Sequence, residues 1–283
     1  NKVNATKNSA IYGKLQDISA SSNVVISGES NTVLSGINVV VEGKSLNVNT
    51  TVDSAIFGVS NVVSNSSQVL VSGSSQEVKN TTIGSLITGK SHVEDGGINN
   101  IISGEGQKTT TVKRSVVSGK LNELTTVDDS IVGGDSNIIN TSINTIVTGK
   151  SNQVTSSNEI AVFGKLNEVT TSSQALIAGN DHDITNSTKI TVLGEKNTAL
   201  DSAMSLMAGK QNQLTTAEGS IALGEQNTIT SVKNGIALGY KASVTGNTVF
   251  AIGSEEIDGN IMSINKYGDA TIGRHIKSDV SED

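Results

Sequence analysis

Few side chains in this 283-residue sequence have the types and the spacing that catalysis requires. Cysteine is absent, which excludes a thiol nucleophile, a thiolate metal site and a disulfide framework. His92 and His182 are too far apart in the sequence to suggest a shared metal site. No Gly-x-Ser-x-Gly, phosphate-binding loop or His-Glu-x-x-His motif occurs. We therefore expect a protein that is not an enzyme and that uses no cofactor or metal.

One stretch, residues 79–115, concentrates charge within a chain that is otherwise regular. Glu94 and Asp95 precede two glycines there, and Lys113 and Arg114 follow. Loops on a rigid scaffold often carry recognition, and departures from a local pattern often mark function. Two interpretations are open: these four residues form a receptor-binding site, or the stretch is a bulged coil that accommodates one extra residue.

The element that must position these side chains is a repeat of about 15 residues. Glycines close short aliphatic runs at seventeen positions, and fourteen of the sixteen intervals between them are 15 residues long. These anchor glycines are Gly13, Gly28, Gly43, Gly58, Gly73, Gly89, Gly104, Gly119, Gly134, Gly149, Gly164, Gly179, Gly194, Gly209, Gly224, Gly239 and Gly253. A fixed short period predicts stacked coils, each of which contacts its neighbours.

The residues before each anchor glycine predict a strand that is hidden from water on both faces. Every position two residues before the glycine is apolar, and so are sixteen of the seventeen positions three residues before it. Adjacent residues of a strand point to opposite faces, so both faces need a cover. We predict that the first set packs inside the coils or between copies of the chain. Its members up to residue 207 are Ile11, Ile26, Val41, Ile56, Val71, Ile87, Ile102, Val117, Val132, Val147, Val162, Ile177, Val192 and Met207.

A second, half-buried strand follows each anchor glycine. Five residues after the glycine, fourteen of sixteen positions are apolar, and Glu94 and Thr109 are the exceptions. The neighbours of these positions are mostly polar, which is typical of a strand with one wet face. Two strands and two turns in each coil predict an all-β fold, a parallel β-roll or solenoid of about 15-residue coils spaced about 4.8 Å apart.

The turn between the two strands reads Gly-x-x-Asn in nine coils. Glycine and asparagine tolerate positive φ, which predicts a tight turn, and stacked asparagines can bond to one another as a ladder. His92 and His182 occupy the asparagine position. We interpret them as ladder substitutions rather than as ligands.

A thin roll of this kind leaves one aliphatic face of the first strand on its outside. Soluble monomers rarely leave so long an apolar surface bare. We expect this face to contact the same face of identical copies in a closed cyclic assembly.

Charge and hydropathy exclude other classes of partner. The net charge is −7 and the chain has only two arginines, so we expect no nucleic-acid partner. No apolar run is long enough to cross a membrane as a helix. Residues 1–4 lack the features of a signal peptide, so any export signal is expected outside this sequence.

Short segments near the end of the repeat resemble a known family. The sequences of residues 220–224 (Ser-Ile-Ala-Leu-Gly), 235–239 (Gly-Ile-Ala-Leu-Gly) and 250–253 (Phe-Ala-Ile-Gly) resemble the Ser-Val-Ala-Ile-Gly repeat of YadA-like heads. Residues 239–244 are similar to the Gly-x-x-Ala-x-Ala continuation of that repeat. These heads belong to trimeric autotransporter adhesins of Gram-negative bacteria. The rest of the chain matches in periodicity, with 15 residues in place of the usual 14 and Asn in place of Ala after the turn.

The resemblance implies a left-handed parallel β-roll that forms a homotrimer on the bacterial cell surface. Residues 1–253 would be the head, and residues 254–283 a cap or a transition toward a neck or stalk. Anchoring in the outer membrane would need a C-terminal region that this sequence does not contain. The head itself would not insert into the membrane.

The function implied is that of an adhesin head that binds a host extracellular-matrix protein or a cell-surface glycoprotein. Carcinoembryonic-antigen-related adhesion molecules are one receptor class of this family, although no motif in the sequence selects them. The alternative is a structural spacer within a trimeric surface fibre that has no receptor site of its own.

Overall fold

The computed structural model describes residues 1–4, 6–80, 82–254 and 257–272. All regular secondary structure in these ranges is β-strand, arranged as a parallel solenoid of about 17 turns of roughly 15 residues. This confirms the predicted all-β solenoid. None of the described ranges forms a helix that is long and apolar enough to cross a membrane. The last residues of the predicted cap or stalk transition, 273–283, lie outside the described ranges.

The chain divides into two compact units, Asn1–Ser156 and Ser157–Asp283. The first unit contains β1 (Lys2–Asn4), β2 (Ala10–Ile11), β3 (Asp17–Ser19), β4 (Ser22–Glu29), β5 (Thr32–Leu34), β6 (Ile37–Lys44), β7 (Asn47–Val59), β8 (Val62–Ser67), β9 (Leu70–Ser74), β10 (Glu77–Lys79), β11 (Leu86–Lys90), β12 (Val93–Asp95), β13 (Ile101–Glu105), β14 (Lys108–Thr110), β15 (Val116–Lys120), β16 (Glu123–Thr125), β17 (Ile131–Asp135), β18 (Ile138–Asn140), β19 (Ile143–Lys150) and β20 (Gln153–Thr155). β10, β12 and β14 pair in register like the other coils, so the charged stretch is stacked rather than looped out.

The second unit repeats the same alternation of strands and ends in an antiparallel meander. It contains β21 (Asn158–Lys165), β22 (Glu168–Thr170), β23 (Ser173–Asn180), β24 (Asp183–Thr185), β25 (Thr191–Glu195), β26 (Thr198–Leu200), β27 (Leu206–Lys210), β28 (Gln213–Thr215), β29 (Ile221–Glu225), β30 (Thr228–Thr230), β31 (Ile236–Tyr240), β32 (Ser243–Thr245), β33 (Thr248–Ser254), β34 (Ile257–Asn265) and β35 (Ala270–Ile272). β33 pairs in parallel with β31 and antiparallel with β34, so the coil stacking ends at the strand that contains Gly253.

Each regular coil has three pairing segments, one more than the sequence predicts. A long strand ends just after the anchor glycine, as in β15, and a short strand follows, as in β16. The third segment is a single residue six positions before the next anchor glycine. Asp128 occupies this bridge position and pairs in parallel with Ile143 of the next coil. A one-residue bridge has no alternation of apolar and polar residues, and periodicity therefore does not reveal it.

Three left-handed residues form the corners between these segments. In the coil that begins at Gly119 they are Leu121, Thr126 and Asp129, with φ values of 53°, 54° and 50°. The asparagine of the Gly-x-x-Asn turn is not one of them. Its predicted role in adopting positive φ is therefore wrong, because the residue before it makes the turn.

The turn asparagines form the predicted ladder inside the coils. Asn137 donates from Nδ2 to the carbonyl oxygens of Gly133 at 3.0 Å and Gly149 at 3.1 Å. Its Oδ1 accepts the backbone N–H of Asn152 at 3.0 Å. One buried amide thus satisfies backbone groups of its own coil and of the next one, which keeps the interior polar groups bonded.

Histidine fills the same ladder position without changing its pattern. Nε2 of His92 lies 2.8 Å from the carbonyl oxygen of Thr88, and Nδ1 accepts the backbone N–H of Gln107 at 3.0 Å. These two contacts require the neutral ring with its proton on Nε2. Burial lowers the pKa of His92 below its ordinary value. His182 makes the equivalent contacts in the second unit with Ala178 and Asn197.

The anchor glycines stand where adjacent coils approach most closely. Gly134 has φ +108°, and a Cβ there would overlap the carbonyl oxygen of Gly149 in the next coil. Gly133, one residue earlier, has its Cβ position 3.5 Å from Ser118 Oγ and 3.8 Å from Thr148 Cγ2, which is ordinary contact. The two adjacent glycines therefore differ in whether a side chain can be accommodated.

We predict that Gly134→Ala lowers the free energy of unfolding by about 3 kcal/mol, because the methyl group meets backbone that cannot move aside and φ is unfavourable. Urea denaturation followed by circular dichroism measures the change. Gly133→Ala is the matched control, with an expected change within about 0.5 kcal/mol. Equal effects of the two substitutions would contradict this account of the anchor.

Candidate functional site

The fourteen residues predicted to pack inside the coils or between copies lie in the coil interiors. In the first unit, Ile26, Val147 and the equivalent residues between them are fully buried, and Ile11 in the first coil is half-buried. In the second unit, Val162, Met207 and their equivalents are also fully buried. The surface available to another copy therefore belongs to the residues next to them in sequence.

An outer apolar file lies on the exposed face of the long strands in the first unit. Its side chains are between 38 and 50% exposed, although they are aliphatic, and successive members stand one or two coils apart. We define the file as Val25, Val40, Leu70, Ile101, Val116, Ile131 and Ile146. In the second unit the same face carries the exposed side chains of Phe163, Leu176 and Leu193.

Large and small residues alternate on this face as they do in packed interiors. Ala55 stands beside Phe57, whereas Ile131 stands beside Gly133 on the same face of its strand. At Ala55 the surface has a hollow of about 530 Å³, bordered by Asp53, Gln68 and Leu70 among others. Such volume matching is expected at a close-packed contact and has no purpose against water.

Of the four predicted receptor-binding residues, the structure separates Glu94 from the others. Glu94 is 0% exposed because its position on β12 points into the coil. A receptor cannot reach it, so its predicted contact is wrong. Asp95 is half-buried and accepts a hydrogen bond from Asn80 Nδ2 at 2.6 Å. Lys113 is half-buried and Arg114 is exposed.

Glu94 occupies a polar nest inside the coils. Its Oε1 accepts from Asn100 Nδ2 at 2.9 Å and from Ser85 Oγ at 3.0 Å, while Oε2 has no hydrogen-bond partner among the described residues. A Cβ on Gly97 would overlap the carboxyl group, so this glycine makes room for it. Burial raises the pKa of Glu94 to about 7, against the opposing effect of the two hydrogen bonds.

Asn100 connects this nest to the segment that carries Lys113 and Arg114. Its Nδ2 also donates to the carbonyl oxygen of Val112 at 2.7 Å, and its Oδ1 accepts the N–H of Ser115 at 3.1 Å. Residues 112–115 are therefore fixed from inside. Glu94, predicted as a surface contact, instead acts on this segment through Asn100.

Arg114 is held on the surface by two acidic side chains. Its Nε donates to Asp129 Oδ1 at 2.6 Å, and its Nη2 donates to Asp128 Oδ2 at 2.7 Å. These bonds raise the pKa of Arg114 further above its ordinary value, and the bond from Arg114 lowers the pKa of Asp129. Because Arg114 and Asp129 are exposed and Asp128 is only half-buried, the main effect of these groups is to orient one another rather than to stabilise the fold.

A small groove of about 170 Å³ lies beside this ion pair. It combines one cation, one carboxylate, two hydroxyl groups and an aliphatic surface. The residues that line it are Thr111, Lys113, Thr126, Val127, Asp128 and Ile143. Sequence reasoning selected Lys113 but missed the others, because they come from three coils and become neighbours only through stacking.

Within the described ranges, no group of three or more His, Asp or Glu side chains is placed so that it could hold a metal ion. No model of a known protein family matches the chain, and no curated protein matches it either. The similarity of residues 220–253 to YadA-like heads stays a prediction.

We predict that Glu94 makes the protein less stable as the pH rises. Below about 4.5 its carboxyl group is neutral in both the folded and unfolded states. Between about 4.5 and 7 the unfolded chain ionises first, so the folded state loses stability, by about 3 kcal/mol once the pH exceeds 7. Glu94→Gln should remove this cost, so that its advantage over the natural protein grows across this range.

Urea titrations at pH 4, 6 and 8 measure the free energy of unfolding of both proteins. Because both contain His92, its contribution cancels when one free energy is subtracted from the other. The control is Glu105→Gln, which changes an exposed carboxyl group outside the nest. A Glu94→Gln advantage that is the same at all three pH values would contradict the assignment.

Proposed function

We propose that this chain is the head of a trimeric fibre on a bacterial cell surface, where it binds a host extracellular-matrix protein or a cell-surface glycoprotein. The observation that carries the proposal is the outer apolar file, which a single copy leaves exposed in the first unit from Val25 to Ile146. In this proposal the protein is a binding protein rather than an enzyme, and the resemblance of residues 220–253 supplies the number of copies.

The form of the file favours an identical copy as the partner that covers it. A partner must present apolar side chains with the same coil spacing over the same length, and another copy of this chain meets that condition by construction. Cyclic symmetry then covers every copy equally and leaves no apolar surface at either side. The volume matching of Ala55 with Phe57, and of Ile131 with Gly133, supports a packed contact of this kind.

A structural spacer is the second candidate, and the regular coils after Gly119 favour it. There the ladder positions are asparagines without interruption from Asn122 as far as Asn167, and such coils would suit a stiff connecting element. The groove at Lys113 favours the head, because a spacer has no need of mixed polar and apolar groups gathered at one place.

We predict that the natural chain sediments at equilibrium with three times its chain mass of 29.1 kDa. Ile131→Glu combined with Ile146→Glu should shift it to the mass of one chain, because charges would be buried against each other in the contact. Thr125→Glu, on the outer face of a short strand, is the control and should sediment like the natural chain. A natural chain that stays monomeric at micromolar concentration would reject the trimer.

Adhesion is tested with cultured host cells and with immobilised matrix proteins. We expect the natural chain to bind and the double glutamate variant to bind at least about tenfold more weakly, because three linked sites act together. Absence of binding by the natural trimer to every surface would favour the spacer. Equal binding by the trimeric and monomeric forms would contradict a role for multivalency.

A further inference from the structure

We propose that the groove beside Lys113 is a saccharide site that holds one sugar ring through its neighbouring hydroxyl groups. The inference deepens the proposed function and rests on it for the expected source, a glycan of the host surface. A polysaccharide of neighbouring bacteria offers the same chemistry, and a glycan array that carries both kinds of sugar separates the two sources.

The size of the groove suits a single ring. Its volume of about 170 Å³ is below the roughly 300–1,000 Å³ of pockets that take drug-sized ligands. A branched or terminal sugar can enter with one ring while the rest of the glycan stays in solvent. This geometry accepts many glycans with weak affinity, which suits a surface that presents several copies.

The polar groups of the groove match the dual character of a sugar hydroxyl, which both donates and accepts. Lys113 donates, and no carboxylate of the described residues lies within salt-bridge distance of its ammonium group. Asp128 accepts, and Arg114 Nη2 fixes its orientation at 2.7 Å. The Oδ1 of Asp128 accepts the N–H of Asp129 at 3.1 Å, and a carboxylate oxygen has room for a further bond.

The remaining walls suit the other parts of a sugar ring. The hydroxyl groups of Thr111 and Thr126 stand at exposed corners and can donate or accept. Ile143, which is 48% exposed, supplies the apolar surface of the groove, and the buried Val127 lies beneath it. The C–H face of a ring removes such surface from water, which adds a favourable term that a small ion could not provide.

An extended peptide fits this groove less well than a sugar does. The backbone N–H of Thr111 is bonded to Asp95 O at 2.8 Å, and that of Lys113 is bonded to Val127 O at 2.9 Å. The coil-to-coil ladder therefore uses the main-chain groups by which a peptide would add as a strand. Binding must depend on side chains alone.

The groove is preorganised from the interior. Asn100 bonds to Val112 O and Ser115 N on either side of Lys113 and Arg114, and Glu94 holds Asn100 in place. Little backbone entropy is then lost when a ligand binds, and this raises the affinity that a few side chains can provide.

The test is a glycan array that carries host-type glycans in one set and bacterial polysaccharide fragments in another, followed by calorimetry on the sugars that bind. Lys113→Ala and Asp128→Asn should each weaken binding at least about tenfold, which corresponds to the loss of one hydrogen bond to a charged group. Lys233→Ala and Glu218→Gln are the matched controls. They remove an ion pair of the second unit whose two residues also lie six positions before an anchor glycine, and they should change affinity less than about twofold.

Sedimentation of each variant checks that the trimer still forms. Loss of sugar binding through damage to the groove is thereby distinguished from loss of binding through failure to trimerise. Sugar binding that falls only in the Lys113 and Asp128 variants supports the site. Whether the host-type glycans or the bacterial polysaccharide fragments bind then identifies the source of the ligand. Sugar binding that is unchanged in these variants, or that falls equally in the controls, overturns it. Host-cell binding by the natural chain without any sugar binding overturns the site and leaves the proposed function standing.

Discussion

The structure depends on the close parallel approach of each coil to the next at the anchor glycines. At Gly134 the neighbouring carbonyl occupies the place of a side chain, so only glycine allows the spacing. Once the spacing is set, every residue stacks on its equivalent one coil away, as Val117 stacks on Val132 and Leu124 on Ile139. Equivalent residues of successive coils then line up in a file along the stack, and the residues of one file are of similar chemical type. An outward position filled by aliphatic residues becomes an outer apolar file, and this is the surface from which the proposed trimer follows.

The same stacking decides which polar groups the interior accepts. A buried asparagine such as Asn137 is bonded within its coil and to both neighbours, and buried serines are bonded in the same way, as Ser115 is to Lys113 O and to Ser130 N. Glu94 follows a different pattern, since one of its oxygens has no partner among the residues that the structure describes. The fold keeps it beside Asn100, under the segment that carries the groove. Its ionisation thus affects the part of the first unit that we propose to bind a ligand.

The sequence predicts much of the fold because the repeat is so regular. The glycine interval and the apolar positions around Val132 were enough to predict coils and their parallel stacking. They left open whether Val132 and its equivalents pack inside the coils or between copies, and the structure places them inside. The bridge at Asp128 could not be predicted, since one residue has no periodicity. Glu94 was misplaced because charge was taken as a sign of exposure, whereas its register, five residues after Gly89, already indicates an inward position. The groove could not be predicted because Thr111, Asp128 and Ile143 meet only when three coils are stacked.

The central claim is that the outer apolar file is covered by other copies of the chain. Because the chain has no cysteine, Ile131→Cys places a single thiol on the file and Thr125→Cys places one on the outer face of a short strand. Spin labels on these thiols report whether each position is packed. The account predicts an immobilised label at residue 131, with short distances between labels of different copies, and a mobile label without such distances at residue 125. A mobile label at residue 131, with no neighbouring label in reach, would contradict it.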